Sequence, residues 1–130
     1  MTARKTHADG MKPLIAVATV MGACCLVAGR AHSQDPVKVA AKMNKVVLDN
    51  DRVRVLDVVL KPGEQMPMHS HPDNIVFVIK GGKTRAVDMK GTPTDREFKD
   101  GECTFRPAET HAIQNTDTKE IHVLNVELKK

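Results

Sequence analysis

The chain has 130 residues, of which 20 are Lys or Arg and 16 are Asp or Glu, so its formal net charge is +4. That length is enough for one domain with one modest hydrophobic core. The sequence has no Trp or Tyr and only three Phe, so it lacks the aromatic platforms on which nucleic-acid bases and sugars stack. We therefore expect no nucleic-acid partner.

Residues 1–33 predict a secretory signal peptide. Lys12 supplies a short basic region, residues 14–28 are an unbroken run of small and apolar residues, and residues 31–33 place small side chains at both positions that determine cleavage. The run is shorter than the roughly 20 residues that span a bilayer, which favours cleavage over a retained membrane anchor. We expect a periplasmic or secreted protein, with anchoring through this segment as the alternative.

Cleavage before Gln34 would change the charge and the cysteine count. A lipid anchor at Cys24 is a further alternative, because residues 22–24 loosely resemble a lipobox. Cleavage would remove Cys24 and Cys25 and leave only Cys103, so the mature chain could form no internal disulfide. It would also remove four of the 20 basic residues and one of the 16 acids, which lowers the net charge to +1. We expect no membrane contact after cleavage.

The rest of the chain predicts strands. Residues 34–45 are expected to form a lead-in with at most one short helical turn, and residues 46–130 the domain itself. Short apolar or alternating runs separated by Gly, Pro, Asn and Asp predict eight strands. They are residues 46–48, 52–60, 75–79, 83–89, 94–99, 103–106, 111–115 and 121–128. This spacing with almost no helix predicts an all-β fold, an antiparallel sandwich or jelly-roll barrel.

The strand at residues 75–79, with the sequence IVFVI, is apolar on both faces. Such a strand is normally buried on both sides, either inside a sandwich or against a partner subunit. We therefore expect a homodimer.

Two histidines, His69 and His71, are separated by one serine. In an extended strand, residues two apart project to the same face, so two imidazoles would lie close together there. Imidazole is the commonest metal ligand, but His-x-His alone is weak evidence for a metal site. His111 follows the turn at Pro107 and is the candidate third ligand. His122 shares its face with apolar residues and is expected to pack rather than to bind metal.

The spacing around these histidines resembles the first motif of the cupin superfamily. Five residues separate Gly63 from His69, and six separate Asn74 from Gly81. The family's motif has an acidic ligand where this sequence has Asn74, and one more residue before it.

The second cupin motif is also matched in order and spacing. Five residues separate Gly101 from Pro107, and three separate His111 from Asn115. The segment between Pro107 and His111 lacks a Gly of the family motif and is one residue shorter. The resemblance implies a double-stranded β-helix barrel and one divalent transition metal bound by three histidines, His69, His71 and His111.

The loss of the acidic ligand changes what this site is expected to do. Asn74 can coordinate only weakly through its amide oxygen, and Asp73 could replace it only if the turn reorients it. Three neutral imidazoles leave a metal more Lewis-acidic, with open positions for water or substrate. Nitrogen ligands favour Zn, Fe, Mn, Ni or Cu over Mg or Ca, and the sequence does not choose among these five.

Four other residues are candidates for supporting roles. Arg85 would clamp an anionic substrate if its strand turns it inward, although a solvated charge is the default. Asn115 is expected to tie a loop through its side chain rather than to bind metal. Glu127 would support an imidazole or lie at an exposed edge, and Cys103 is expected to be a small buried side chain rather than a reactive thiol.

The cupin resemblance implies a metal-dependent enzyme that acts on a small polar or anionic molecule, in the manner of a dioxygenase, isomerase or decarboxylase. No residue besides the metal ligands stands out as a general base, which weakens the case for catalysis. A non-catalytic protein that binds a small ligand or the metal is the first alternative, and a metal-free barrel is the second.

Overall fold

The computed structural model describes residues 34–130, and the predicted signal peptide lies outside this range. Within the range no helix is both long and apolar enough to cross a bilayer. The described residues form one short helix and nine strands: α1 Pro36–Val39, β1 Asn44–Asp49, β2 Val53–Leu60, β3 Gln65–His71, β4 Asn74–Lys80, β5 Gly82–Asp88, β6 Pro93–Phe98, β7 Cys103–Arg106, β8 Glu109–Asn115 and β9 Ile121–Leu128.

The strands form two antiparallel sheets that face each other. Sheet 1 has the strand order β1-β2-β9-β4-β7, and sheet 2 has the order β3-β8-β5-β6. The chain passes repeatedly from one sheet to the other, for example from β2 to β3 and from β3 to β4. The predicted all-β jelly roll is confirmed. All eight predicted strands are present, and the ninth, β3, carries His69 and His71.

The core lies between the two sheets and follows the two-residue period of a strand. In β2, Leu56, Val58 and Leu60 point inward and are buried, and they pack against Met66 of β3. Full burial of an aliphatic side chain of this size stabilises a fold by about 1.5–3 kcal/mol. This cluster therefore holds the two sheets together.

Helix α1 packs against this core cluster. The side chain of Asp35 accepts a hydrogen bond from the Val37 amide at 2.9 Å, which caps the helix, and Pro36 occupies its first turn. Asn44 at the start of β1 donates to the Ala40 carbonyl at 3.0 Å, so the helix and the first strand are joined.

The outer face of sheet 1 is largely apolar and partly exposed. In β4, Asn74, Val76 and Val78 are buried, whereas Phe77 and Ile79 on the other side are 42% and 39% exposed. The expectation that this strand is buried on both faces is therefore wrong within one chain, because only the inner face of sheet 1 is covered. On β7, Cys103 is also exposed, which corrects the expectation that it is buried.

The connection between β4 and β5 depends on close backbone packing at Gly81. A Cβ atom there would overlap the carbonyl oxygen of Phe98 and lie 2.7 Å from its carbonyl carbon. Since backbone atoms cannot rotate away, a side chain at this position would separate the two segments.

We expect Gly81→Ala to lower the free energy of unfolding by at least about 3 kcal/mol, as measured by urea denaturation. Gly91→Ala is the matched control, because its Cβ meets nothing within 4 Å although its φ is +81°. The control should lose about 1–2 kcal/mol through backbone strain alone. Equal losses in the two variants would contradict the role assigned to Gly81.

Candidate metal centre

The pairing of β3 with β8 brings the three predicted histidines together. His69 and His71 lie on β3, and the antiparallel register places His111 of β8 directly opposite His69. All three side chains are buried, and each offers a nitrogen atom within 4.8 Å of those of the other two. The trio predicted from the two motifs is therefore present as a cluster.

Hydrogen bonds orient two of these imidazoles. Nδ1 of His69 lies 2.7 Å from the carbonyl oxygen of Pro67, and Nδ1 of His71 lies 2.7 Å from Oε1 of Glu127. Because both partners are oxygen acceptors, each Nδ1 carries the proton and each Nε2 keeps a free lone pair. This is the arrangement that metal-binding histidines normally have.

The third imidazole is held less firmly. Nδ1 of His111 lies 3.2 Å from Oε2 of Glu109, but the angles do not satisfy those of a hydrogen bond. Burial on its own would raise the pKa of Glu109, yet the neighbouring His111 and Arg96 hold that pKa well below its usual range. An ionised carboxylate therefore lies beside the histidine trio.

Glu127 is buried and supports the imidazole of His71. The sequence left open whether Glu127 would support an imidazole or lie at an exposed edge. It is 2% exposed, and besides His71 it binds Arg54, whose Nε donates to Oε2 at 2.6 Å. Arg54 in turn donates to Asp35 at 2.9 Å. Burial alone would raise the pKa of Glu127, but these partners lower it and keep the carboxylate ionised.

The surroundings of His69 favour its neutral imidazole. Burial is the main reason that the pKa of His69 falls to about 4, and proximity to His71 and His111 lowers it further. An unprotonated imidazole has a lone pair for a cation, so the low pKa of His69 favours a bound metal.

Asn74 and Asp73 occupy different environments. Asn74 is 1% exposed, lines the cavity beside the histidines, and donates from Nδ2 to the Pro72 carbonyl at 2.8 Å. The Asp73 carboxylate accepts from the amide of Ala108 at 2.9 Å, so it holds the connection between β7 and β8. Asp73 is not among the residues that line the cavity.

Asn115 is fully buried and connects three segments. Its Nδ2 donates to the carbonyls of Leu60 and Lys119 at 2.9 and 2.8 Å, and its Oδ1 accepts from the Asp117 amide at 2.8 Å. These bonds hold the end of β8 against the β2–β3 and β8–β9 connections, and they leave the side chain no part in the metal centre.

The inward orientation suggested for Arg85 is not found. Its neighbours Thr84 and Ala86 are buried, so the strand period turns Arg85 outward, where it pairs with Asp95 at 2.7 Å. Two arginines that we did not single out from the sequence, Arg96 and Arg106, line the cavity instead. Arg106 directly precedes Pro107 of the second motif, and this position is the sequence feature that could have pointed to it.

His122 lies outside the centre. Its Nε2 is 2.5 Å from Oδ1 of Asp57 on the outer face of sheet 1. Packing on that face, rather than metal binding, is the role that the sequence predicted for it.

The histidines His71 and His111 open onto a cavity of ≈ 60 Å³ between the sheets. Its walls combine apolar and polar side chains. The polar lining residues are Asn44, His71, Asn74, Thr84, Arg96, Arg106, Glu109, His111 and Asn125.

Residues 56–127 match the cupin domain family, over more than half of the chain. This chain belongs to the cupin family. No curated protein matches it significantly.

Solved structures of several cupins resemble this chain. A cupin domain from Bordetella pertussis Tohama I is 25% identical with a TM-score of 0.63, and the match covers 67% of this chain and 92% of that one. An RmlC-like cupin from Methanocaldococcus jannaschii with a double-stranded β-helix fold is 23% identical with a TM-score of 0.54, over 66% and 78%. A predicted oxalate decarboxylase from Thermotoga maritima is 22% identical with a TM-score of 0.51, over 67% and 79%.

The protonation of His69 predicts how the metal-free cupin responds to acid. The unfolded chain binds a proton at His69 near pH 6.5, whereas the folded protein does so only near pH 4. Between these values the unfolded state holds more protons, so acidification should lower the free energy of unfolding by roughly 2 kcal/mol. Urea denaturation of chelator-treated protein at several pH values measures this.

In the same experiment, His69→Gln should flatten the pH dependence of the free energy of unfolding between pH 6.5 and 4. The further loss of stability below pH 4, which arises from Glu109 and Glu127, should remain. An unchanged slope in this variant would show that His69 is not the titrating group.

Proposed function

We propose that this cupin binds one divalent transition metal through His69, His71 and His111 and is an enzyme that acts on a small polar or anionic molecule. The observation that carries the proposal is that His69 and His71 each have Nδ1 bonded to an oxygen acceptor, which leaves Nε2 free for a metal. A histidine cluster with only a structural role would not require this matched orientation.

The donor set fits a transition metal. Three donors no more than 4.8 Å apart can lie about 2.8 Å from a common centre, so a small inward shift brings them to the roughly 2.1 Å of a metal–nitrogen bond. Neutral nitrogen ligands suit Zn, Fe, Mn, Ni or Cu. When bound, such an ion would supply Lewis acidity to a substrate oxygen or a water molecule.

The surrounding residues limit what can bind. A cavity of ≈ 60 Å³ has room for roughly four or five water-sized groups, so the substrate is small. Val58, Leu60 and Ile113 form an apolar wall of the cavity, while Glu127 keeps His71 in the orientation that a ligand requires.

Non-catalytic binding is the second candidate function. Glu109 is the carboxylate that lines the cavity, and because its pKa is held well below its usual range it is a weak base. A site with a metal and no effective base is suited to holding a small ligand without turnover.

Residues 1–33 support export as part of the proposal, through the signal-peptide pattern of the sequence. An exported site would more readily hold Zn or Cu, because Fe(II) is easily oxidised outside the cytoplasm.

Elemental analysis of protein purified without a histidine tag tests the metal site. We expect close to one metal per chain after incubation with Fe, Mn, Ni, Cu and Zn in turn, and less than about a tenth in His69→Ala or His111→Ala. His122→Ala is the matched control and should keep its metal, since it lies on the outer face. Oxygen uptake and turnover of small organic acids by the loaded wild type, lost in His69→Ala, would separate an enzyme from a binding protein.

Failure of the wild type to retain any of the five metals would contradict the proposal and favour the metal-free barrel. Metal retention without turnover of any candidate substrate would favour the binding protein.

We also propose that a second copy of the chain covers the outer face of sheet 1. Phe105 is 58% exposed and lies opposite Ile75, next to the exposed Phe77 and Ile79, so the apolar side chains are contiguous across β4 and β7. A two-fold axis would pair this surface with itself and remove it from water.

Phe77→Glu should convert a dimer to a monomer in light scattering at micromolar concentration, because the partner's apolar surface would bury the new charge. Met89→Glu changes another exposed apolar residue, away from this face, and should remain dimeric. A monomeric wild type would contradict the dimer.

A further inference from the structure

A row of polar side chains crosses the inner face of sheet 1 beside the histidines. The strand registers place Arg54 opposite Glu127, Glu127 opposite Asn74, and Asn74 opposite Arg106. Residues directly opposite each other in antiparallel strands point to the same face, with Cβ atoms about 4.5–5.5 Å apart. The order of charges along the row is therefore positive, negative, neutral and positive.

The two arginines of the row differ in their partners. Arg54 is bonded to both Glu127 and Asp35, at 2.6 and 2.9 Å. At the other end, Arg106 forms no ion pair within residues 34–130, and its Nε is buried without a hydrogen-bond acceptor there. Its guanidinium carbon lies 5.5 Å from the centre of the Phe98 ring.

Other acids near Arg106 are already engaged. Glu109 binds Arg96 at 3.0 Å and lies beside His111, while Glu102 accepts hydrogen bonds from Lys99 and Thr104. Burial, and after it the positive charge of Arg96, lowers the pKa of Arg106. Glu109 and Glu102 oppose that fall through their negative charge, but neither forms an ion pair with Arg106.

Asn74 explains why this charge is unmatched. It stands at the position where the cupin motif has an acid, and its cross-strand partner is Arg106. An acid there would pair with Arg106 within the row, as Glu127 pairs with Arg54. The amide of Asn74 carries no charge, so Arg106 stays without an ion-pair partner, and Glu109, which is bound to Arg96, is the carboxylate that lines the cavity.

Arg106 is half-buried and its Nε is enclosed without an acceptor, and a carboxylate is the group that matches a guanidinium best, through two parallel hydrogen bonds. Arg106 lines the same cavity as His71 and His111. The polar row connects Arg106 to the histidines, because Asn74 lies between Arg106 and Glu127, and Glu127 bonds to His71.

We propose that a small organic carboxylate from solution occupies the place of the missing acid, between Arg106 and the histidine trio, with Arg106 as its binding residue. The inference rests on the proposed function in so far as the same carboxylate would also reach the metal. The volume of ≈ 60 Å³ admits acids of about two or three carbons.

Binding of acetate and glycolate, with the neutral acetamide as comparison, tests this by titration calorimetry or ligand-observed NMR on metal-free and metal-loaded protein. Wild type should bind both acids at least tenfold more tightly than acetamide. Arg106→Gln should lose at least tenfold in affinity for the acids and keep its metal content. Arg85→Gln, which removes an arginine on the outer surface, should bind as wild type does.

Asn74→Asp is the second variant, because it supplies an acid within the chain. It should bind acetate at least tenfold more weakly, since Arg106 would already be paired, and should retain metal at least as firmly as wild type. Arg106→Lys keeps a point charge and serves if Arg106→Gln does not fold; its affinity for the acids should exceed its affinity for acetamide.

Equal affinity for acetate in wild type and Arg106→Gln, or equal affinity for acetate and acetamide in wild type, would overturn the inference. Those results would leave the metal content of the trio intact. Conversely, a protein that retains no metal but loses carboxylate affinity in Arg106→Gln would contradict the proposed function and support the subsite.

Discussion

The antiparallel register between β3 and β8 is the constraint on which the site depends, because it alone places His111 opposite His69. A slip by one residue would turn His111 to the opposite face of sheet 2. Ser70 and Thr110, which face each other one step along, share a hydrogen bond of 2.7 Å between their hydroxyl groups. Asn115 fixes the far end of β8, so the register is held on both sides of the histidine pair.

The sequence predicted eight of the nine strands and the histidine trio because both follow local rules, the two-residue period and the motif spacing. It did not define β3 as a strand, since Pro67 interrupts its pattern and the register shifts between Met66 and His69. It suggested Arg85 in place of Arg106 because Thr84 and Ala86 are small, so the buried face of β5 carries no strong hydrophobic signal. The role of Glu127 depends on its contact with His71, which is distant in the sequence, so no local pattern reveals it.

Sheet 1 combines two surfaces of opposite character. Its outer face is apolar around Phe77 and Phe105, whereas its inner face carries the charged row beside the histidines. Alternation along β4 and β7 produces both, because each residue that points outward is followed by one that points inward. The replacement of an acid by Asn74 thus alters the charge of the cavity without changing the packing surface on the other side.

A chain of bonds joins Asp35 to Arg54, Arg54 to Glu127 and Glu127 to His71. This chain also determines the stage of folding at which His71 becomes oriented. Asp35 caps the first element of the fold, and Glu127 lies on the last strand, so the two ends of the domain meet behind one imidazole. During synthesis on the ribosome His71 emerges well before Glu127. The imidazole therefore gains its final orientation only after β9 has docked, and a partly made chain would offer a metal no preorganised site.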